Sequence, residues 1–135
     1  MNRYIAGFLA VALVMVVLDM LWLGLIAKSL YQRGIGHLMA EQPRILAAVA
    51  FYALYAIGLL VFAVMPQAGD SAWSRTMIKG ALFGFFAYAT YDLSNLATLR
   101  NWPVGLTLVD MAWGTVLSAM SAVVGKAALN WAAKP

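Results

Sequence analysis

The sequence predicts an all-α fold, an integral membrane four-helix transmembrane bundle, and three observations carry that prediction. Of 135 residues, 64% are hydrophobic and only 10% are charged, with a mean hydropathy of +0.84, far more apolar surface than a soluble domain of this size can bury. The charges also avoid four long stretches, Tyr4 to Ala27, Ile45 to Met65, Gly80 to Leu99 and Val104 to Gly125, which together hold only Asp19, Asp92 and Asp110. Each stretch reaches the roughly 20 residues with which a helix crosses about 30 Å of hydrocarbon. One transmembrane domain over residues 1–135 is expected, with spans at about 4–27, 45–65, 78–99 and 104–128.

Span one follows Arg3 and superficially resembles a signal peptide, but its apolar run is too long, contains Asp19 and Trp22, and lacks a small-x-small cleavage site. It is expected to be retained. The connection from Lys28 to Arg44 is the longest, and Ile35, Leu38 and Met39 are placed on one face of a short interfacial helix with His37 and Glu41 on the other. Span two lies between Pro43 and Pro66, Gly69-Asp70-Ser71 makes a turn, and Asn101-Trp102-Pro103 separates spans three and four. Both termini then share one side, here called near, with Tyr4, Trp73 and Trp131 as its aromatic belt and Trp22, Tyr31 and Trp102 as that of the far side. The near side carries Arg3, Arg75, Lys79, Lys126 and Lys134, and the far side Lys28, Arg33, Arg44 and Arg100. This bias favours cytoplasmic termini in a bacterial inner membrane by a single charge.

Zero cysteines exclude disulfides, thiolate metal sites and iron–sulfur clusters, and a single His argues against haem or a histidine-built zinc site. The net charge of +4 sits at span ends, where it favours headgroups, so nucleic acid is not an expected partner and membrane lipids are. Oxygen-ligated metal chemistry survives these exclusions, and a divalent cation is the one cofactor left open.

The chemistry is expected at the three intramembrane aspartates, because a charge at bilayer depth costs at least about 2.5–3.5 kcal/mol on translocon scales and needs a partner, a proton or a function. Asp19 and Asp92 precede the far ends of their spans and Asp110 follows the far start of its own, all roughly 9–12 Å below the far interface at about 1.5 Å per residue. Tyr52 and Tyr55 of span two share a face at the same depth, and Tyr88, Asp92 and Asn95 form one helical stripe in span three. Trp113, nearer the midplane than Asp110, needs an acceptor for its indole N–H and is placed in the wall of the site, whereas Trp22 reads as an anchor. The expected binding residues are therefore Asp19, Asp92, Asp110, Asn95, Tyr52, Tyr55, Tyr88 and Trp113, with the three aspartates as candidate metal ligands. Pairing of the aspartates with Lys28, Arg44, Arg100 or a tyrosine hydroxyl, which would hold the bundle together and bind nothing, is the competing structural explanation. The near half is aliphatic, with close-packing spacings at Gly80-xxx-Gly84 and Gly114-xxx-Ser118-xxx-Ala122. Asp-Met-x-Trp recurs at Asp19 and Asp110 on oppositely directed helices, without an echo in the other spans.

Three stretches, Asp19-Met20-Leu21-Trp22-Leu23-Gly24, Tyr91 through Pro103, and Val109-Asp110-Met111-Ala112-Trp113-Gly114, resemble an uncharacterised bacterial four-span membrane protein family, domain of unknown function family 2177. That resemblance implies an inner-membrane protein and brings no activity, cofactor or catalytic residue. In length and span number the chain also loosely resembles the small multidrug transporters, whose first-span glutamate Asp19 would have to replace. The function expected is binding or transport of a proton, metal cation or cationic small molecule, in a homodimer because one bundle leaves little room for alternating access. Two alternatives remain. One is a membrane enzyme acting on lipid through a carboxylate-held metal, for which no catalytic residue is identified; the other is a structural subunit of a larger complex. Ser94, two residues from Asp92, does not face it on a helix and has no evident base.

Overall fold

A computed structural model describes all of residues 1–135 and is entirely helical outside its turns. Helix α1 runs Arg3–Leu21, capped where Asn2 Oδ1 accepts the Tyr4 amide N–H at 2.8 Å, and passes into a π-helical turn at Trp22–Ile26. A short helix, α2 (Lys28–Ile35), and a 3₁₀ turn at Gly36–Leu38 follow. Helix α3 covers Ile45–Leu59 and is prolonged by a π turn at Leu60–Val64 and a 3₁₀ turn at Met65–Gln67. Helices α4 (Trp73–Thr98) and α5 (Val104–Ala132) complete the chain. The turn between them is set by Asn101 in the left-handed region at φ 60° and by Thr107, whose hydroxyl accepts the Trp102 indole N–H and donates to the Pro103 carbonyl.

Three segments, Arg3–Ile26, Ile45–Gln67 and Val104–Ala132, are long and apolar enough to cross a membrane. Helix α4 has the length, 26 residues, but Arg75, Lys79, Asp92 and its many hydroxyls dilute its hydropathy. Burial is inverted relative to a water-soluble fold. Leu46 is 86% exposed and Leu54 70%, while Asp92 and Lys126 are 0% exposed. An outer surface this apolar is explained by lipid contact.

Below the midplane, Val11, Met15, Leu59, Val64, Leu117 and Leu129 belong to the aliphatic core expected there. The α4–α5 interface is the most extensive, and its close approach has a direct cause in sequence. A Cβ on Gly84 would collide with the Gly114 carbonyl and the Ser118 side chain, and one on Gly80 would lie 2.7 Å from the Ala122 Cβ. The two small-residue motifs thus interlock, with the Tyr88 ring laid over Gly114. This antiparallel register, continued toward the far end, sets Asp92 across from Asp110.

Three expectations are corrected. The short helix of the first connection occupies residues 28–35, because Gly36 interrupts it before Leu38 and Met39. Trp22 and Tyr31 are half-buried and Trp102 is 8% exposed, so none of them forms an interfacial belt. Lys126 does not reach for headgroups: its Nζ donates to the Asp70 carbonyl at 2.6 Å and lies 5.0 Å from the centre of the Trp73 ring. Ser94, in keeping with its spacing from Asp92, faces outward and donates to the Tyr91 carbonyl, as an exposed helical serine does.

Candidate functional site

A cavity of about 700 Å³ occupies the far half of the helix cluster, covered by α2. The sequence supplies its wall helix by helix. Asp19 and Leu23 come from α1, Phe51, Tyr52 and Tyr55 from α3, Ala87, Tyr88, Tyr91 and Asp92 from α4, and Leu106, Asp110 and Trp113 from α5. Tyr31, Gln32 and Ile35 of α2 close the top with Met39, and Lys28 stands at the rim. Asn95 alone among the expected binding residues does not line it; it sits half-buried one turn beyond Asp92.

Each aspartate meets a different environment. Asp19 is 4% exposed and has one neutral donor on each oxygen, with the Tyr52 hydroxyl donating to Oδ2 at 2.8 Å and the Trp113 indole N–H donating to Oδ1 at 2.9 Å. Asp110 is 8% exposed and accepts a 2.5 Å hydrogen bond from the Tyr31 hydroxyl, whose oxygen accepts the Trp22 N–H at 3.1 Å. Asp92 lies beside Asp110, and neither of its buried oxygens has a hydrogen-bond donor. Because two carboxylates offer each other no donor, their proximity calls for a proton or a cation between them.

Basic side chains do not meet that demand. The only ion pair in the molecule joins Arg75 to Asp70 at 3.0 Å on the near face, so Lys28, Arg44 and Arg100 leave the buried aspartates unpaired. A three-carboxylate metal set is not assembled either: no three His, Asp or Glu side chains lie close enough together to hold an ion. Asp19, Asp92 and Asp110 are thus not gathered into one ligand set in this arrangement, and Tyr52 and Trp113 each hold one oxygen of Asp19.

Aromatic rings make up much of the remaining wall. The Trp113 indole of the wall is backed by Trp22, stacked in parallel with centroids 4.4 Å apart and planes within 5°. Tyr55 meets Tyr88 edge to face and shares a 2.7 Å hydrogen bond with Ser118, and Tyr91 meets Trp102 edge to face. Burial, followed by its hydrogen bond to Asp110, pushes the Tyr31 phenol well above the ordinary tyrosine range, so it remains a donor at any physiological pH. On the near face, the Ala72 amide N–H and then Arg75 hold the Asp70 carboxyl below the usual carboxylate range.

Sequence reasoning missed Trp22, Tyr31, Tyr91 and Trp102. Trp22 lies three residues after Asp19 and Tyr91 three after Tyr88, so helical spacing gave a signal for both. Tyr31 gave none, because its bond to Asp110 joins residues 79 apart in the chain.

Residues 4–127 match the model of the family described as "Predicted membrane protein (DUF2177)". Neither the curated proteins nor the solved structures offer a match.

Proposed function

The chain belongs to this predicted membrane protein family, and from that premise we propose a four-span bundle that binds, and in a bilayer carries, a proton or cationic small molecule at Asp92. One observation carries the reading: three buried carboxylates share a cavity without a basic partner, and one of them has no hydrogen-bond donor at all. Breaking a buried ion pair by removing one partner costs about 3–5 kcal/mol, so an ionised carboxylate left in that condition is stabilised when a guest supplies the missing charge.

The four-span part of the reading is supported by α4, whose 26 residues reach about 39 Å at 1.5 Å per residue and which turns its one intramembrane charge inward. Cytoplasmic termini in a bacterial inner membrane, and no role with nucleic acid, complete the proposal. A single chain builds the whole cavity, so binding needs no second copy; a homodimer is proposed for transport alone. The lipid-enzyme alternative has less support, since no three-ligand metal group assembles and Ser94 faces away.

The test is thermal stability in detergent across pH, with and without inorganic and organic cations, for the natural chain and Asp92→Asn. A cation that binds only the folded state raises the melting temperature, by about 2.7 kcal/mol of stability at a hundredfold excess over its Kd. The reading expects this effect in the natural chain and its loss in the variant. An equal response in both proteins, or none to acid or any cation, defeats it.

A further inference from the structure

We propose that the guest of this cavity is an organic monocation, an ammonium or other onium centre on an aromatic or alkyl body, and not a bare ion. The inference rests on the cation reading above and adds the chemical class of the guest. Volume is the first argument. About 700 Å³ falls within the range of pockets that enclose drug-sized molecules, whereas a water-sized guest claims about 30 Å³. Holding a proton or a desolvated metal ion would leave nearly all of this space without a purpose.

The wall chemistry is the second argument. The charge of a guest is met by Asp92, which is fully buried and has no donor, and its body by tyrosine rings and the indole of Trp113, which Trp22 backs by stacking. Aromatic faces attract onium cations through the ring quadrupole and cover their alkyl groups at the same time, which they cannot do for a hydrated metal ion. Asp19 is not available to a guest in the same way, because its two oxygens are already held. With Asp19 held by its donors and one proton shared between Asp92 and Asp110, one negative charge is left, which calls for one positive charge.

Anions are disfavoured by the same wall. No Arg lines the cavity, and its one Lys, Lys28, stands at the rim. A phosphate or carboxylate inside would therefore face Asp92 and Asp110 without a counter-charge.

The experiment measures quenching of tryptophan fluorescence in the detergent-solubilised full chain, with equilibrium dialysis for stoichiometry. The probes are N-methylquinolinium, its neutral isostere 1-methylnaphthalene, Na⁺ and Mg²⁺. Saturable binding of one N-methylquinolinium per chain is expected, with the neutral isostere weaker by about tenfold or more, equivalent to 1.4 kcal/mol for the charge. Asp92→Asn is expected to lose that charge preference. Ala87→Phe, which fills the cavity wall without touching a carboxylate, is expected to abolish N-methylquinolinium binding while leaving any thermal response to acid or inorganic cations in place, and it carries the test should Asp92→Asn fail to fold. Equal binding of charged and neutral probes overturns the inference. A response to Na⁺, Mg²⁺ or acid alone overturns it as well but leaves the cation reading standing, and no response of any kind removes both.

Discussion

Asp19 and Asp92 are both aspartates buried at the same depth, yet their substitution by Asn has opposite consequences. At Asp19 an amide supplies one acceptor where two donors, Tyr52 Oη and Trp113 Nε1, now point, so one donor is orphaned at a cost of about 1–3 kcal/mol. At Asp92 no donor is orphaned, and an unpaired acid is replaced by a neutral group able to donate to Asp110. Melting of the two variants in detergent is expected to show Asp19→Asn several degrees lower and Asp92→Asn level with or above the natural chain; the reverse order would refute this assignment of partners. Tyr31 provides a second prediction, with its sign fixed by linkage. A phenol whose folded-state value lies above its unfolded value of about 10 contributes stability that is whole below pH 10 and is lost as pH rises beyond it. Stability measured from pH 8 to 11 is expected to fall less steeply in Tyr31→Phe, which also lacks the bonds to Asp110 and Trp22. The aspartates were readable in the sequence because a charge in an apolar run is conspicuous by itself. Their partners were not, since which of six tyrosines reaches which acid depends on tertiary packing.

Among the elements, the α4–α5 seam does the positioning. Gly84 and Gly114 admit no methyl group, because the space belongs to the neighbouring backbone in one case and to the Tyr88 ring in the other. Gly84→Ala is expected to cost at least about 1–3 kcal/mol and to pull Asp92 away from Asp110, weakening cation binding along with stability. Gly24→Ala, at a glycine with nothing within 4 Å, is the matched control and is expected to be silent in the same melting and binding measurements. The spacing of these small residues was legible, since i, i+4 repeats mark a helix contact in membranes without any knowledge of the partner. The extent of α2 was not. Its residues are polar enough to pass for a loop, and only docking over the cavity gives Tyr31, Gln32 and Ile35 a shared face. The start of α4 adds a small acid-sensitive contact. Asp70, held below its ordinary range by the Ala72 N–H and then by Arg75, contributes stability that is present above its unfolded value and lost as pH falls through its folded one. Asp70→Asn is expected to flatten the dependence of melting temperature on pH between about 5 and 3.

For the whole molecule, the inverted burial makes a topological claim that reporters can test. Four spans put reporters at Met1, Gly69 and Pro135 on one side of the membrane and one at Asn101 on the other. Reporters at Gly69 and Asn101 on the same side would mean that α4 does not cross, and the bundle reading would fail. The apolar runs of α1, α3 and α5 made three crossings plain in the sequence. The sequence also reads a crossing at about 78–99, which the proposed bundle needs, and α4 is the least apolar of the four for a physical reason: it carries Asp92 and Tyr88 of the cavity, and a helix that supplies the polar lining of a site gives up hydropathy to do so.

The uneven strength of the helix contacts has a mechanical corollary. Helices α1, α4 and α5 are joined by the extensive α4–α5 and α1–α5 interfaces, and α3 with its π turn is anchored at the near end, where Ala56, Leu59, Leu60, Ala63 and Val64 enter the core, while its far half, residues 45–55, includes no fully buried side chain. It is tied to the cavity layer by two hydroxyls, Tyr52 on Asp19 and Tyr55 on Ser118. Breathing of the chamber therefore costs least when the far half of α3 tilts as a stave against the frame, pivoting on its packed near end. A chamber with one compliant wall adapts its girth to its contents, so the frame sets the charge of an acceptable guest and the stave sets how wide a range of sizes is tolerated.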